Sequence, residues 1–168
     1  MSSNIKLAYG ASAALTITLG SLSNSSTSVA GRQSTVIDNT SGLYVDALVG
    51  GKIKAGTSPT AGALVEIWAF AAIDDTPTYA DVLGASDAAV TFTSRDILCA
   101  SMAPLAVMTV DTTTGRNYWA KPTSVASSFG GLLPAKWGIV VINSSGVALD
   151  STNGNHVLSY KPVYATVG

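Results

Sequence analysis

The 168-residue chain is poor in charge. Nine Lys/Arg and ten Asp/Glu make up 11% of it, for a net charge of −1, where an ordinary soluble domain carries ~25%. Without a basic excess it has no electrostatic footprint for phosphate, so nucleic acid is not an expected partner. Glu66 is the only glutamate and Gln33 the only glutamine. Helices normally carry both freely on their exposed faces, so a helix bundle is disfavoured. Cys99 is the only cysteine, which excludes an intrachain disulfide and suits folding in a reducing compartment. It stands among Ile97, Leu98 and Ala100 and reads as a small buried hydrophobe. Long apolar runs are missing too. The longest, 97–110, is broken by Ser101, Pro104 and Thr109, short of the ~20 residues of a membrane span. Residues 7–19 are interrupted by Gly10, Ser12, Thr16 and Thr18, so they lack the continuous apolar middle of a signal peptide. Neither a membrane span nor a leader is expected.

What is present is 47% hydrophobic residues, too many for disorder, and a length that suits one core. The apolar residues come in short alternating segments separated by turn signals. Leu15, Ile17 and Leu19 alternate with Thr16 and Thr18, which is strand patterning. Residues 63–73 carry Leu64, Glu66, Trp68 and Phe70 on one face and Val65, Ile67, Ala69 and Ala71 on the other. Both faces are apolar, as in a strand buried on two sides. Residues 136–143 repeat that character with Trp137, Ile139, Val140, Val141 and Ile142. Gly50-Gly51 marks a hairpin or bulge, and 88–93 and 97–110 read as further strands with a break at Pro104. Thr123 or Ser124 followed by Gly130-Gly131 predicts one short helical turn near 123–129. About eight to ten strands at this spacing predict an all-β fold, an antiparallel two-sheet β-sandwich of jelly-roll type. Residues 1–20 form an N-terminal arm or first strand, and 21–168 the single β-sandwich domain.

Chemistry-bearing residues are sparse. His156 is the only histidine and lies beside Asn153, Gly154 and Asn155, so it reads as a loop residue. No Gly-x-Ser-x-Gly elbow occurs, and Glu66 has no second glutamate to share a glycosidase role. Asp74, Asp75, Asp81 and Asp87 supply oxygen ligands in a loop but follow no liganding pattern. No catalytic, cofactor or metal site is expected, and the chain is read as a non-enzyme. Of the three tryptophans, Trp68 and Trp137 sit among aliphatics and read as core or interface. Trp119, next to Tyr118, is the candidate for exposure, and with Tyr79 it would serve a carbohydrate-stacking surface. Low charge removes the repulsion that keeps monomers apart, so the composition suits a chain that lives in an assembly. The arm is the expected docking or strand-exchange element. Leu15, Ile17, Leu19, Tyr79, Tyr118 and Trp119 are the expected interface residues, with loops 23–31, 74–87 and 111–121.

Several segments are distinctive together. They are Ser-Val-Ala-Gly-Arg-Gln-Ser at 28–34 with Ile37-Asp38-Asn39-Thr40, Gly-Thr-Ser-Pro-Thr-Ala-Gly at 56–62, and Asp-Asp-Thr-Pro-Thr-Tyr at 74–79. Ser124-Val125-Ala126, Phe129-Gly130-Gly131, Leu-Pro-Ala-Lys-Trp-Gly at 133–138 and Tyr-Lys-Pro-Val-Tyr at 160–164 complete the set. As a set, from about Ser21 onward, the chain resembles small virion structural proteins of tailed bacteriophages. That resemblance implies a structural role in the virion without catalytic residues or cofactors. By analogy of size and architecture, it implies a capsid decoration (cement) protein that binds the major capsid protein or other virion proteins, assembles as a homo-oligomer, and is made in the host cytoplasm. A tail, neck or fibre component and a carbohydrate-binding β-sandwich module are the alternatives.

Overall fold

A computed structural model describes residues 4–167. The strands are β1 (Ile5–Tyr9), β2 (Ala13–Ala14), β3 (Ala30–Gln33), β4 (Ile37–Asp38), β5 (Asp46–Lys54), β6 (Leu64–Ala71) and β7 (Ala88–Thr91). Then follow helix α1 (Arg95–Ser101), β8 (Ala103–Thr109), β9 (Asn117–Ser124), β10 (Lys136–Ser144) and β11 (Val157–Val167). They build two sheets. Sheet A has the order β1-β11-β5-β9, with β2 added on β11; sheet B has the order β7-β3-β10-β6-β8, with β4 added on β10. Every pairing is antiparallel, and the chain is an all-β two-sheet sandwich.

β6 and β10 form the middle of sheet B because both faces of each are apolar. Val65, Ile67 and Ala69 of β6 and Trp137, Ile139 and Val141 of β10 enter the main core between the sheets. Trp68, Phe70, Val140 and Ile142 point the other way, into a second core with Val90, Phe92, Leu98 and Met102. Segment 72–87 and α1 therefore form a covering layer over the outer face of sheet B. Tyr79 belongs to that layer, edge-on to Phe70 with ring centroids 5.8 Å apart.

The covering layer is tied down by charge. Arg95 donates both terminal guanidinium nitrogens to the buried Glu66 carboxylate, at 2.7 and 2.8 Å, and also reaches the Ser28 carbonyl. The same guanidinium lies 5.0 Å from the Trp68 ring centroid. Arg32, opposite Val141 in the ladder and so on the other side of sheet B, pairs with Asp87 at 2.6 Å and holds the end of segment 72–87.

Four sequence expectations change here. Residues 97–110 are not one strand: α1 ends at Ser101 and β8 follows. Ser94 caps α1 by accepting from the Ile97 N–H at 3.2 Å, with Asp96 in the first turn, a favourable start for a helix. Pro104 lies inside β8, which tolerates it as the edge strand with a register shift opposite. Cys99 is exposed, because Leu98 is the side chain α1 turns inward. Finally, the alternation from Leu15 to Leu19 does not present a docking strand. The outward threonines leave Leu15 and Leu19 buried in the main core with Ile17 packed against it. Only Ala13 and Ala14 are strand, and β1 and β2 pair with β11 of their own chain.

Two expectations hold in detail. Gly50 and Gly51 mark a register shift within a continuous β5, and a turn of 3-10 helix runs Ala126–Phe129. The Ser124 hydroxyl accepts from the Ser127 N–H at 3.0 Å. Gly130 and Gly131 end the turn with φ of 79° and 98°, a conformation glycine adopts without strain.

The hairpin end around Asp150 carries a pH-sensitive joint. Its carboxylate accepts from the Asn155 side chain at 2.8 Å and the Thr152 N–H at 3.0 Å, and pairs with Lys54 at 3.1 Å. These interactions lower its pKa to about 2, the Asn155 hydrogen bond first among them. A depressed carboxylate stabilises the fold above its ordinary value near 4 and loses that contribution as pH falls towards 2. Acid titration of stability is expected to show a decline in this window, shallower in Asp150→Asn. An unchanged slope in that variant would rule the joint out as a contributor.

Candidate functional site

The outer face of sheet B is covered, whereas that of sheet A is open. Inward residues of sheet A, such as Ala47, Val49, Ile53 and Leu158, fill the main core. Their neighbours point outward by the two-residue period. On β1 this places Ile5, Leu7 and Tyr9 on the outer face, at 76%, 69% and 63% exposure. They stand opposite Val167, Ala165 and Val163 of β11. β11 pairs with β5 only as far as Val163 opposite Asp46, so the rest of β1 and β11 runs on as a two-stranded ribbon. One edge of β1 has no strand beside it.

Next to the ribbon lies a groove of about 340 Å³ lined by Tyr9, Leu48, Gly50, Gly51, Pro122 and Lys161. Its floor is backbone. At Gly51, with φ of 146°, a Cβ would collide with the Val157 carbonyl, and at Gly50 it would come within 3.0 Å of the Pro122 nitrogen. Two glycines at the register shift beside Pro122 therefore make a hollow where a sheet face is usually filled. Lys161 leans over one wall, its Nζ 5.5 Å from the Tyr9 ring centroid. Across β5, Trp119 is 70% exposed, in register with Lys52, which in turn faces Val157. A second hollow of about 320 Å³ joins Trp119 and Lys121 to Val107 and Met108 of β8.

Charge is segregated across the molecule. Among the described residues, five cations are held in ion pairs: Arg32–Asp87, Lys54–Asp150, Arg95–Glu66, Arg116–Asp111 and Lys136–Asp38. The other four, Lys6, Lys52, Lys121 and Lys161, all lie on strands of sheet A. The carboxylates outside those pairs are Asp46, Asp74, Asp75, Asp81 and Asp96. Asp46 accepts from the Ala47 and Ala126 N–H groups, and the remaining four lie in the connection from β6 to β8, Asp74 and Asp75 beside Thr40, Ala135 and Lys136 at the end of β6. Asp74 caps its own loop, with the Thr78 and Thr76 N–H groups holding its pKa below the ordinary value. Asp81 accepts from Thr93.

No protein-family model, curated protein or solved structure matches the chain.

Of the expected interface residues, the structure brings only Trp119 to the open face. Leu15 and Leu19 are consumed by the core, and Ile17 packs on it. Tyr79 covers Phe70. Tyr118 points inward: its hydroxyl donates to the Asp111 carboxylate at 2.8 Å and accepts from the Asp111 N–H at 2.9 Å. Trp68 and Trp137 are buried, as their aliphatic neighbours implied. The other chemistry-bearing residues are engaged structurally. Glu66 is held by Arg95, and Asp87 by Arg32. His156 accepts from the Lys54 N–H at 3.3 Å through Nδ1 and contacts the Asp150 carbonyl at 2.9 Å through Nε2. No group of three or more His, Cys, Asp or Glu is placed to hold a metal among the described residues. Within the expected docking arm of residues 1–20, the exposed stripe is Ile5, Leu7 and Tyr9 rather than Leu15, Ile17 and Leu19; its sequence signal is the alternation with Lys6 and Ala8.

Proposed function

We propose that the chain is a non-enzymatic structural protein of a tailed-phage virion. In this reading it is a capsid decoration protein that binds the shell of major capsid protein and stabilises it. Two things support this: the resemblance carried by the segments from 28–34 to 160–164, and the open apolar face of sheet A. The face is the observation that carries it. Among the described residues, Ile5, Leu7, Tyr9, Trp119, Val157 and Val167 stand exposed on the strands of sheet A, whereas Leu43, Ile73, Val82, Ile97, Val107 and Leu132 are scattered over loops, α1 and β8; exposed apolar side chains clustered on one face mark a protein-interaction surface. Cement function requires many modest contacts multiplied by symmetry and multivalency rather than an active site.

Electron cryomicroscopy of purified virions tests the reading. Density for the sandwich on the outer capsid surface, at hundreds of copies, is the expected result. A dozen or fewer copies at the neck or tail would assign the chain to those structures instead, and absence from the particle overturns the virion role.

Trp119 supports one other reading, a carbohydrate-binding module, since a tryptophan exposed on a sheet face can stack on a sugar ring. The decoration reading predicts that Trp119→Ala leaves a glycan array as blank as the wild type. A wild-type signal lost in Trp119→Ala would favour the module. Because the side chain is exposed, the variant should melt within about 0.5 kcal/mol of wild type.

A further inference from the structure

We propose that the outer face of sheet A is the side by which the protein attaches, and that the surface it takes is an acidic, apolar-centred patch on another protein. This rests on the decoration reading and names the partner chemistry of that face. On so lightly charged a chain, lysines placed at random would fall on both sides of the sandwich. Instead, the four without an ion pair among the described residues all lie on strands of sheet A, Lys6 alone on the face opposite to Ile5, Leu7 and Tyr9, and four of the five such carboxylates lie in the connection from β6 to β8 of sheet B. Lys161 and Lys52 rise from the outer face, next to Tyr9, Trp119 and Val157, so each cation stands at the margin of exposed apolar surface. A partner that buried this face must supply carboxylates to Lys52 and Lys161, because buried unpaired charge is strongly unfavourable. It must also supply apolar groups to Leu7, Tyr9 and Trp119.

That pattern selects among occupants. A second copy joined face to face through a two-fold axis would set Lys52 and Lys161 against a surface that also carries them, an arrangement like charge opposes. A nucleic acid needs a track of cations for its phosphates, whereas here a few lysines are interspersed with isoleucine, leucine, tyrosine and tryptophan. An acidic protein surface satisfies both the charge and the apolar content. It would leave Asp74, Asp75, Asp81 and Asp96 turned away from the shell, on the side facing solvent.

Lysine footprinting on particles tests this with the unaltered protein. Virions and isolated protein are acylated under the same conditions, and each lysine is quantified by mass spectrometry. Lys52 and Lys161 are expected to be modified at least tenfold more slowly on the particle. Carbodiimide coupling at Asp74 and Asp75 should be unchanged. In parallel, virions lacking the protein are incubated with Lys52→Glu/Lys161→Glu, which should bind with at least tenfold fewer copies per particle. Lys52→Arg/Lys161→Arg should bind as wild type. Circular dichroism establishes that both variants are folded. If the protein is on the particle with its sheet A lysines unprotected, or with Asp74 and Asp75 protected instead, the inference is overturned and the decoration reading stands. If isolated protein self-associates and protects the same lysines, the occupant is a second copy and the inference is overturned. If the virion contains none of the protein, both fall.

Discussion

Arg95→Ala is expected to lower the stability of the fold by about 3 kcal/mol, with a fall in melting temperature of roughly 6–12 °C for a chain of this size. The Glu66 carboxylate is buried on a central strand and accepts both guanidinium nitrogens of Arg95. Without Arg95 it keeps only the Trp68 Nε1 donor, at 3.2 Å. A buried carboxylate without its cation costs far more than the pair is worth, because desolvation is no longer offset. The Arg95 side chain is 34% exposed, so water reaches the vacated position and the cost falls at the lower end of the range for broken buried pairs.

The loss should also be local. α1 has seven residues, too few to hold helical structure alone. Besides its cap at Ser94 and the burial of Leu98, Arg95 is its fastening to sheet B. Amide exchange in α1 should therefore accelerate more than in β10. Replacing both partners, as in Glu66→Met/Arg95→Met, should recover most of the loss, since two apolar side chains remove the need for the pair. Chemical denaturation of the two single variants and the double provides the cycle. An Arg95→Ala variant within about 0.5 kcal/mol of wild type would mean the pair is as solvated as a surface bridge.

This pair also shows what the sequence could and could not reveal. A lone glutamate in an apolar strand was visible, and so was the two-sided burial of that strand. Its partner was not, because Arg95 lies 29 positions away, in the short gap between two segments that read as strands. Local pattern was legible wherever it reported burial: β5 with its glycine shift, the two-sided apolar runs of β6 and β10, and the turn closed by Gly130-Gly131 all follow from composition, period and turn chemistry. It failed where tertiary packing consumed the pattern. Leu15, Ile17 and Leu19 alternate as a strand does, yet they fill the main core after only a two-residue β2. Whether an alternating stripe faces the chain's own core or solvent depends on which strands lie alongside, and that is non-local. The open face itself is assembled from β1, β5, β9 and β11, drawn from both ends and the middle of the chain. No single window could therefore display it.

The main core has its own large dependence, at Trp137. Trp137→Ala is expected to cost about 4 kcal/mol. The side chain is fully buried at the start of β10, between Ile37 of β4 and Ala71 of β6 in the ladder. Tyr160 of the opposing sheet meets it edge-on at 5.5 Å, so the indole bridges the two layers of the sandwich. Removing it leaves a cavity that two hydrogen-bonded sheets cannot close by collapse. Trp137→Phe should behave quite differently. The indole Nε1 makes no hydrogen bond among the described residues, and a buried donor left unpaired carries a penalty of about 1–3 kcal/mol. Phenylalanine gives up ring volume but also removes that penalty, and it keeps an aromatic edge for Tyr160. A net loss of about 1 kcal/mol or less follows. Urea unfolding of the two variants separates the contributions. A Phe variant as unstable as the Ala variant would show that the Nε1–H is bonded in solution and that the hydrogen bond, rather than the filled volume, holds the two sheets together at this point.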